Sequence, residues 1–215
     1  MSTRVMIFGG HGKVARLLEP LLVAREDAVT AVIRNPSHEA EVAATGATPL
    51  VFDVEAFDTD HLANLVGGND VVVWSAGAGG GDPARTYAVD RDAAIRSIDA
   101  AMDAGVRRYV MVSYFGARRD HGVPADDPFF AYAEAKAAAD DHLRASGLDW
   151  TIVAPSRLTL DDPTGRIDPD ATGSRSVPRG DVAAVIAQII PDPATYGRTL
   201  RFNSGDVPIG DAFPV

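Results

Sequence analysis

Short, nearly continuous apolar runs alternate along the chain with longer alanine-rich segments of helical periodicity. The apolar runs predict strands at residues 4–8, 29–33, 48–52, 71–74, 108–112 and 150–153, with a last strand at 199–203. The segments between them predict helices at residues 13–25, 37–45, 59–66, 84–104, 129–146 and 181–190. Strands that are apolar on both faces are typical of parallel sheets covered by helices on both sides. The pattern therefore predicts an α/β fold with a doubly wound parallel sheet of about seven strands and helices on both faces.

Residues 155–180 interrupt this alternation. They are rich in Pro, Gly, Asp and Ser and show little periodicity. A segment of this length is more often functional than a simple connection. Right-handed crossovers would bring the loops that follow the strands to one edge of the sheet, where such folds bind ligands. We expect a single domain over residues 1–215, with 155–180 as a loop or lid on the substrate side.

Composition and charge narrow the classes of function. Of the 215 residues, 46% are hydrophobic, which suffices for a sizeable core, and 20 basic against 30 acidic residues give a net charge of -10. That balance argues against nucleic acid as a partner. The chain has no cysteine, which excludes disulfides, a thiolate nucleophile and a cysteine zinc site. The five histidines, at positions 11, 38, 61, 121 and 142, have no metal-ligand spacing, so no metal is expected.

Location and assembly follow from what the sequence lacks. No apolar stretch is long enough to cross a bilayer, and the first residues do not resemble a secretory signal. We expect a cytoplasmic protein with a small-molecule substrate and no membrane partner. A monomer and a homodimer are both compatible with the sequence.

A glycine motif joins the first predicted strand to the first predicted helix. Gly9, Gly12 and Ala15 form the pattern GxxGxxA. In a dinucleotide-binding turn, the first glycine allows the tight turn, the second lets the backbone approach a pyrophosphate, and the third position packs helix against strand. The helix N-terminus then favours the phosphates through its free amides and dipole. The motif predicts a Rossmann-like NAD(P) site, and the alternative is a tight turn that binds nothing.

Residues after the second and third strands bear on the choice of cofactor. Arg34 follows the second strand, where an acidic residue would favour NAD and an arginine can bind the 2′-phosphate of NADP. NADP(H) is therefore favoured over NAD(H), unless Arg34 is simply a solvated arginine; Ser37 and His38 are weaker candidates beside it. Asp53 closes the third strand and is either an adenine ligand or a helix N-cap. The small residues at 75–81 suit close approach to a cofactor, or a mobile loop.

Candidate catalytic residues lie around the fifth strand and the helix after it. Ser113 follows that strand directly, and Tyr132 precedes Lys136 by four residues, which places both on one face of a helix. The ammonium group is expected to lower the pKa of the phenol, so that Tyr132 can exchange a proton while Ser113 holds the substrate oxygen. The alternative is an ordinary helical pair.

Four segments carry a resemblance to a known family: GGHGKVA, VDRDAAIRSIDAAMDAGVRRYVMVS, YAEAK and LDWTIVAPSRL. They resemble the short-chain dehydrogenase/reductase superfamily, and within it the atypical NAD(P)-binding, NmrA-like branch, over residues 4–205. The resemblance implies Ser113, Tyr132 and Lys136 as the catalytic residues, with Lys136 also on the nicotinamide ribose. The candidate cofactor-binding residues are Gly9, Gly10, His11, Gly12, Lys13, Val14, Arg34, Asp53, Val54, Ala76, Gly77, Ala78, Lys136, Pro155, Ser156, Arg157 and Leu158, the last four at the nicotinamide end.

The sequence also departs from relatives with large substrates. No second serine follows Ser113, and the region after residue 155 is shorter than in sugar-nucleotide epimerases, which argues against a large nucleotide-sugar pocket. We expect an NADP(H)-dependent oxidoreductase acting on a small molecule. The alternatives are an NAD(P)-sensing regulatory protein without turnover and a flavin or quinone reductase that does not need Tyr132. The late loop carries three arginines that either bind an anionic substrate or face solvent: Arg157, Arg166 and Arg175. Asp181 is expected to be a helix N-cap.

Overall fold

A large sheet forms the centre of the molecule, with helices packed on both of its faces. The computed structural model describes residues 2–213. Its strands are β1 (Arg4–Phe8), β2 (Ala28–Ile33), β3 (Thr48–Val51), β4 (Val71–Trp74), β5 (Arg108–Val112), β6 (Asp149–Pro155), β7 (Arg157–Thr159), β8 (Arg166–Asp168), β9 (Ser176–Pro178), β10 (Arg198–Ser204) and β11 (Val207–Pro208). Its α-helices are α1 (Ala15–Val23), α2 (Glu39–Ala43), α3 (Thr59–Val66), α4 (Pro83–Thr86), α5 (Ala94–Asp103), α6 (Phe130–Ala145) and α7 (Arg179–Ile189).

Strand order places a ligand crevice at one edge of the sheet. Seven strands run parallel in the order β3-β2-β1-β4-β5-β6-β10. β1 pairs with β2 on one side and β4 on the other, so the order reverses there, and Phe8 lies opposite both Val32 and Trp74. In open parallel sheets, a ligand binds outside the carboxyl ends of the strands at such a reversal. The predicted Rossmann-like, doubly wound α/β fold is confirmed.

The expected strand number of about seven is too low, because two short strands extend the sheet to nine among the described residues. β8 pairs antiparallel with β10, and β11 pairs antiparallel with β8, with Ile167 opposite both Ser204 and Val207. β7 and β9 form a separate two-stranded parallel sheet. Strands of two or three residues carry too few side chains for a periodic pattern. The segment 155–180, expected as a loop or lid, thus contains the short strands β7, β8 and β9.

Alternate side chains of the strands point into two separate cores. In β1, Val5 and Ile7 join the core under α1 and α7, whereas Met6 and Phe8 join the core on the other face, with residues of α3, α5 and α6. Both sets are at most 3% exposed, as the continuous apolar runs predicted. No helix in the part of the chain that the structure describes is long and apolar enough to cross a membrane.

Two helices differ from prediction in ways that concern the site. The helix expected at 84–104 contains α4, a π-helical segment (Tyr87–Ala93) and α5 in succession. Wider π-helical turns commonly occur near functional sites, and this one carries the buried Asp90. The last helix begins at Arg179 after Pro178, so Asp181 is not its N-cap. The Asp181 carboxylate instead accepts hydrogen bonds from Thr164 and Gly165.

Candidate functional site

The turn between β1 and α1 has the geometry of a phosphate-binding loop. Gly9 has φ +82°, and a Cβ there would lie 2.6 Å from the Cα of Ala76, so only glycine fits. The amides of Gly9 and Gly10 donate to the carbonyl of Val32 at 3.1 and 2.9 Å, which ties the turn to β2. The amide of His11 has no hydrogen-bond partner among the described residues. A free amide beside the start of a helix suits the oxygens of a diphosphate.

A cavity of about 300 Å³ extends from this turn towards the ends of β2 and β3. Of the predicted cofactor residues it brings together Gly9, His11, Gly12, Arg34, Val54, Ala76 and Gly77. His38, a weaker candidate, and Ser75, from the run of small residues, line it too. The residues that the prediction missed are Val32, Ile33, Asn35, Phe52, Glu55, Arg85 and Val89. Gly10, Val14, Asp53 and Ala78 are not among its lining residues, and Lys13 lines a different cavity beside α1. Asp53 instead accepts a hydrogen bond from the Glu55 amide at 3.0 Å, and the turn after β3 holds it there.

Charged side chains concentrate at the outer end of this first cavity. Arg34 donates to Oε1 of Glu55 at 3.0 Å, and Nε of Arg85 lies 3.2 Å from the same oxygen. Two guanidinium groups thus share one carboxylate, which leaves a net positive charge. The rings of His11 and His38 stack beside them with centroids 3.6 Å apart. Glu55 and Arg85 carry no local sequence signal, because 30 residues separate them along the chain.

A second cavity, of about 410 Å³, lies beyond the ends of β5 and β6. Three aromatic rings form its wall, with centroids 5.2 Å apart for Tyr114 and Phe129, 5.2 Å for Phe129 and Tyr132, and 5.5 Å for Tyr114 and Tyr132. Ser113 lines it, as do Phe115, Ser174 and all four residues predicted at the nicotinamide end, Pro155, Ser156, Arg157 and Leu158. Arg157 has no ion-pair partner in residues 2–213. The cavity is therefore aromatic with a single unpaired cation.

Lys136 does not contact Tyr132 in the way that lowering the pKa of this phenol would require. It is 1% exposed, and its Nζ donates to the carbonyl of Val112 at 2.6 Å. No hydrogen bond joins it to Tyr132 among the described side chains. Burial, followed by the charges of Asp90 and Asp140, raises the pKa of Tyr132. The expected lowering of this pKa by Lys136 is wrong for this arrangement, because the ammonium is directed to β5 and the phenol lies near two carboxyl groups.

Two buried acids that the sequence analysis missed surround this lysine. Asp140 is 0% exposed, and its Oδ2 accepts a hydrogen bond from Oγ of Ser113 at 2.6 Å. Asp90 is 2% exposed, and its Oδ2 accepts from the amide of Ala78 at 2.9 Å, which holds the turn beside Gly77. Burial raises the pKa of both, and the charge of Lys136 opposes the rise. Asp140 follows Lys136 by four residues, so the helical spacing was a usable signal.

Comparison with known proteins identifies the family. The family model described as NAD(P)H-binding matches residues 9–193. The chain belongs to this NAD(P)H-binding family. The NAD(P)H-binding protein is 30% identical to the uncharacterized sugar epimerase YhfK of Bacillus subtilis, over 97% of this chain and 98% of that one. The resemblance to NAD(P)-binding proteins that the sequence motifs carry is confirmed.

Solved structures support the same family. One is a Bacillus halodurans protein whose name places it among the NAD-dependent epimerase/dehydratases, with a TM-score of 0.88 and 33% identity over 97% of each chain. Another is ChuY of Escherichia coli O157:H7, named an anaerobillin reductase, with a TM-score of 0.76 and 25% identity over 95% of this chain and 98% of that one. The NAD(P)H-binding protein thus shares its whole fold with proteins named for related chemistry. The roles of its individual site residues stay predictions.

Proposed function

We propose that this protein is an NADP(H)-dependent oxidoreductase of the atypical short-chain dehydrogenase/reductase type that acts on a small molecule. The observation that carries the proposal is the arrangement of two cavities along one edge of the sheet. The first joins a glycine turn with a free amide to a cationic pair, and the second presents hydroxyl groups within aromatic walls. An extended dinucleotide needs ligands for its phosphates and ribose at one end and a cavity for the nicotinamide and the substrate at the other. The two cavities follow one another in that order.

NADP(H) is favoured over NAD(H) by charge at the first cavity. Arg34 follows β2, the position at which family members of this fold class distinguish the 2′-hydroxyl from the 2′-phosphate. The Arg34 side chain is 54% exposed, so its guanidinium group reaches solvent beside Glu55 and Arg85. Two arginines against one glutamate leave one positive charge for a phosphate. Glu55 reduces that charge, and we expect the preference for NADP(H) to be moderate.

The second cavity supplies what a redox reaction needs besides the cofactor. A bound nicotinamide supplies or accepts a hydride. Of the hydroxyl groups that line this cavity, we assign proton exchange with a substrate oxygen to those of Ser113 and Tyr132. Lys136 holds the β5 end that carries Ser113. Arg157 is placed to attract an anionic group on the substrate. The aromatic wall favours a planar, conjugated acceptor.

A second candidate is a flavin or quinone reductase. The raised pKa of Tyr132 favours it, because a phenol with a raised pKa is a weaker acid and such an acceptor can take its proton from water. ChuY, which shares the fold at 25% identity, is also named as a reductase. In this candidate too, NADP(H) would bind in the first cavity, and only the acceptor would differ.

Cofactor titration tests the proposal first. NADPH and NADH are titrated by fluorescence and calorimetry against wild type, R34A and a matched control, R107A, whose arginine pairs with Asp149 on the surface. We expect tighter binding of NADPH, a loss of about 5- to 30-fold in R34A for NADPH alone, as one charge-assisted contact predicts, and no change in R107A. Absence of NADPH binding would refute the proposal.

Turnover assays then separate the candidates. NADPH oxidation is followed with carbonyl compounds, conjugated enones, flavins and quinones. Reduction of carbonyls or enones supports the main proposal, and activity confined to flavins and quinones supports the second candidate. Tight binding of NADPH without turnover of any acceptor would instead indicate the sensing protein.

A further inference from the structure

Three ionisable side chains are buried together between α6, the π-helical segment and the end of β5. Lys136 is 1% exposed, Asp90 is 2% and Asp140 is 0%. Lys136 interacts electrostatically with both acids. The cluster lies directly behind Ser113, whose hydroxyl group lines the second cavity and contacts Asp140 at 2.6 Å.

Charge balance limits how many of these groups are ionised. Within the cluster, one ammonium group faces two carboxyl groups. The next cation is the partly exposed Arg144, whose Nη2 lies 3.9 Å from Oδ2 of Asp140. Removing an unpaired charge from water is so costly that a buried acid takes up a proton instead. Burial raises the pKa of both acids, which favours one proton shared by the pair.

The hydrogen bonds indicate which acid holds that proton. Each acid interacts with two cations, Asp90 with Lys136 and Arg85 and Asp140 with Lys136 and Arg144. Asp90 also accepts from the backbone amide of Ala78, which favours its carboxylate. Oδ1 of Asp140 is buried and has no partner among the described residues. An unpaired carbonyl oxygen is less costly to bury than an unpaired carboxylate oxygen. The protonated form of Asp140 is thus the better fit.

We propose that Asp140 is protonated and donates to Oγ of Ser113, so that Ser113, rather than Tyr132, delivers the proton to the substrate oxygen. In this state the 2.6 Å bond between the two side chains runs from Asp140 to Ser113. The hydrogen of Ser113 is then free to point into the cavity. Asp140 acts through Ser113 and is a positioning residue in this sense, whereas Tyr132 forms part of the aromatic wall.

The proton step completes carbonyl reduction and rests on the proposed function. A bound NADPH would supply the hydride for the new C–H bond, and the carbonyl π pair would move to oxygen. That oxygen takes the proton of Ser113 as the proton of Asp140 moves to Oγ. Asp140 is left as a carboxylate and regains a proton from water, so the net change is one hydride and one proton added to the substrate.

The surroundings of Asp140 determine its pH dependence. From α6 it faces Lys136 and Arg144, whose charges lower its pKa, and Asp141, whose charge raises it. Ser113 lowers the pKa through its hydrogen bond, and burial, the largest influence, raises it. Tyr114 and Tyr132 are the neighbouring phenols, and the charge of Asp140 raises the pKa of each. The net direction is upward, so protonated Asp140 persists above the ordinary carboxyl range.

Infrared spectroscopy tests the proton without any turnover. Cofactor-free wild type, D140N and the matched control D141N are compared at neutral pH; Asp141 is the next residue on α6 and is bonded to Arg119 and Arg144. All three proteins also carry E19Q, because burial raises the pKa of Glu19 to about 7 and its carboxyl group would otherwise contribute to the band. We expect a protonated-carboxyl band that is present without D140N and in the D141N protein, and absent in the D140N protein. An identical spectrum in D140N would overturn the proposal, even if the protein proves to be an oxidoreductase.

Kinetics tests the donor. For reduction by NADPH we expect S113A to lose about 10²- to 10⁴-fold in kcat/KM, as removal of a general acid predicts, and Y132F to lose less than about tenfold. Wild-type kcat/KM should fall as pH rises through the ionisation of Asp140, and D140N should be slow without that fall. If D140N does not fold, the comparison of S113A with Y132F decides. A greater loss in Y132F than in S113A would overturn the proposal while leaving NADPH-dependent reduction intact.

Discussion

Replacing Asp181 with alanine should clearly lower the melting temperature of the protein. Its carboxylate is 0% exposed and accepts from three donors: the amide of Thr164 at 3.0 Å, the hydroxyl of Thr164 at 3.1 Å and the amide of Gly165 at 2.8 Å. A hydrogen bond to a charged group contributes about 1.5–3 kcal/mol at most. Because Thr164 and Gly165 are exposed, water replaces part of each bond, and we expect a total loss of about 3 kcal/mol.

The size of the loss distinguishes this tether from a helix cap. Loss of an N-cap costs about 1 kcal/mol. For a chain of 215 residues, about 3 kcal/mol corresponds to a fall in Tm of roughly 6–12 °C, at about 2–4 °C for each kcal/mol. The measurement is thermal and urea unfolding of D181A, with D162A as the control because Asp162 is exposed in the same segment. Hydrogen exchange at the Thr164 and Gly165 amides should become faster in D181A only.

Two results would refute this reasoning. A loss of about 1 kcal/mol or less would mean that Asp181 contributes no more than a cap. Unchanged exchange at the Thr164 and Gly165 amides would mean that the carboxylate does not hold the segment between β7 and β8.

Three further predictions follow from single positions. G9A should weaken NADPH binding and destabilise the fold by more than G79A. Both glycines have positive φ, at +82° and +84°, but only a Cβ at residue 9 would meet Ala76. Thermal unfolding and NADPH titration of both variants measure the difference, and equal effects would contradict it. Burial raises the pKa of Glu19 to about 7. The free energy of unfolding should therefore decline by about 2–3 kcal/mol as pH rises from the ordinary carboxyl range through 7. Urea unfolding measures this, and E19Q should show no such decline. R157M should lower kcat/KM about tenfold for carboxylated acceptors relative to their neutral esters, as loss of one partly solvated ion pair predicts, and an equal change for both would contradict an anion-binding role.

Much of the fold was predictable because its signals are local. Buried parallel strands are apolar on both faces, and the runs at β1, β4 and β5 have the predicted bounds. The added strands β8 and β11 were not predictable, since each is too short for a pattern; β8 depends on the edge of β10 for its hydrogen bonds, and β11 depends on β8. The π-helical segment also has no local signature, and it places Asp90 behind the cofactor turn.

The candidate site was predictable in its outline and not in its electrostatics. The glycine turn, Arg34 and the Ser113, Tyr132 and Lys136 set are recognisable from residue type and spacing, and the structure brings the turn and Arg34 to one cavity and Ser113 and Tyr132 to another. The direction of the pKa of Tyr132 was predicted wrongly. Helical spacing places two side chains on one face, but it does not tell which group each of them contacts.

The sequence by itself determined the α/β class, the glycine turn after β1 and the presence of Ser113 and Tyr132 near the ends of neighbouring elements, because each depends on a few neighbouring residues. The tertiary structure alone decided the partners of the charged groups. Glu55 meets Arg85 across 30 residues, and Asp140 meets Ser113 across 27. The ionisation of a buried group depends on the surrounding charges and on the exclusion of water, and both arise only when distant segments pack together.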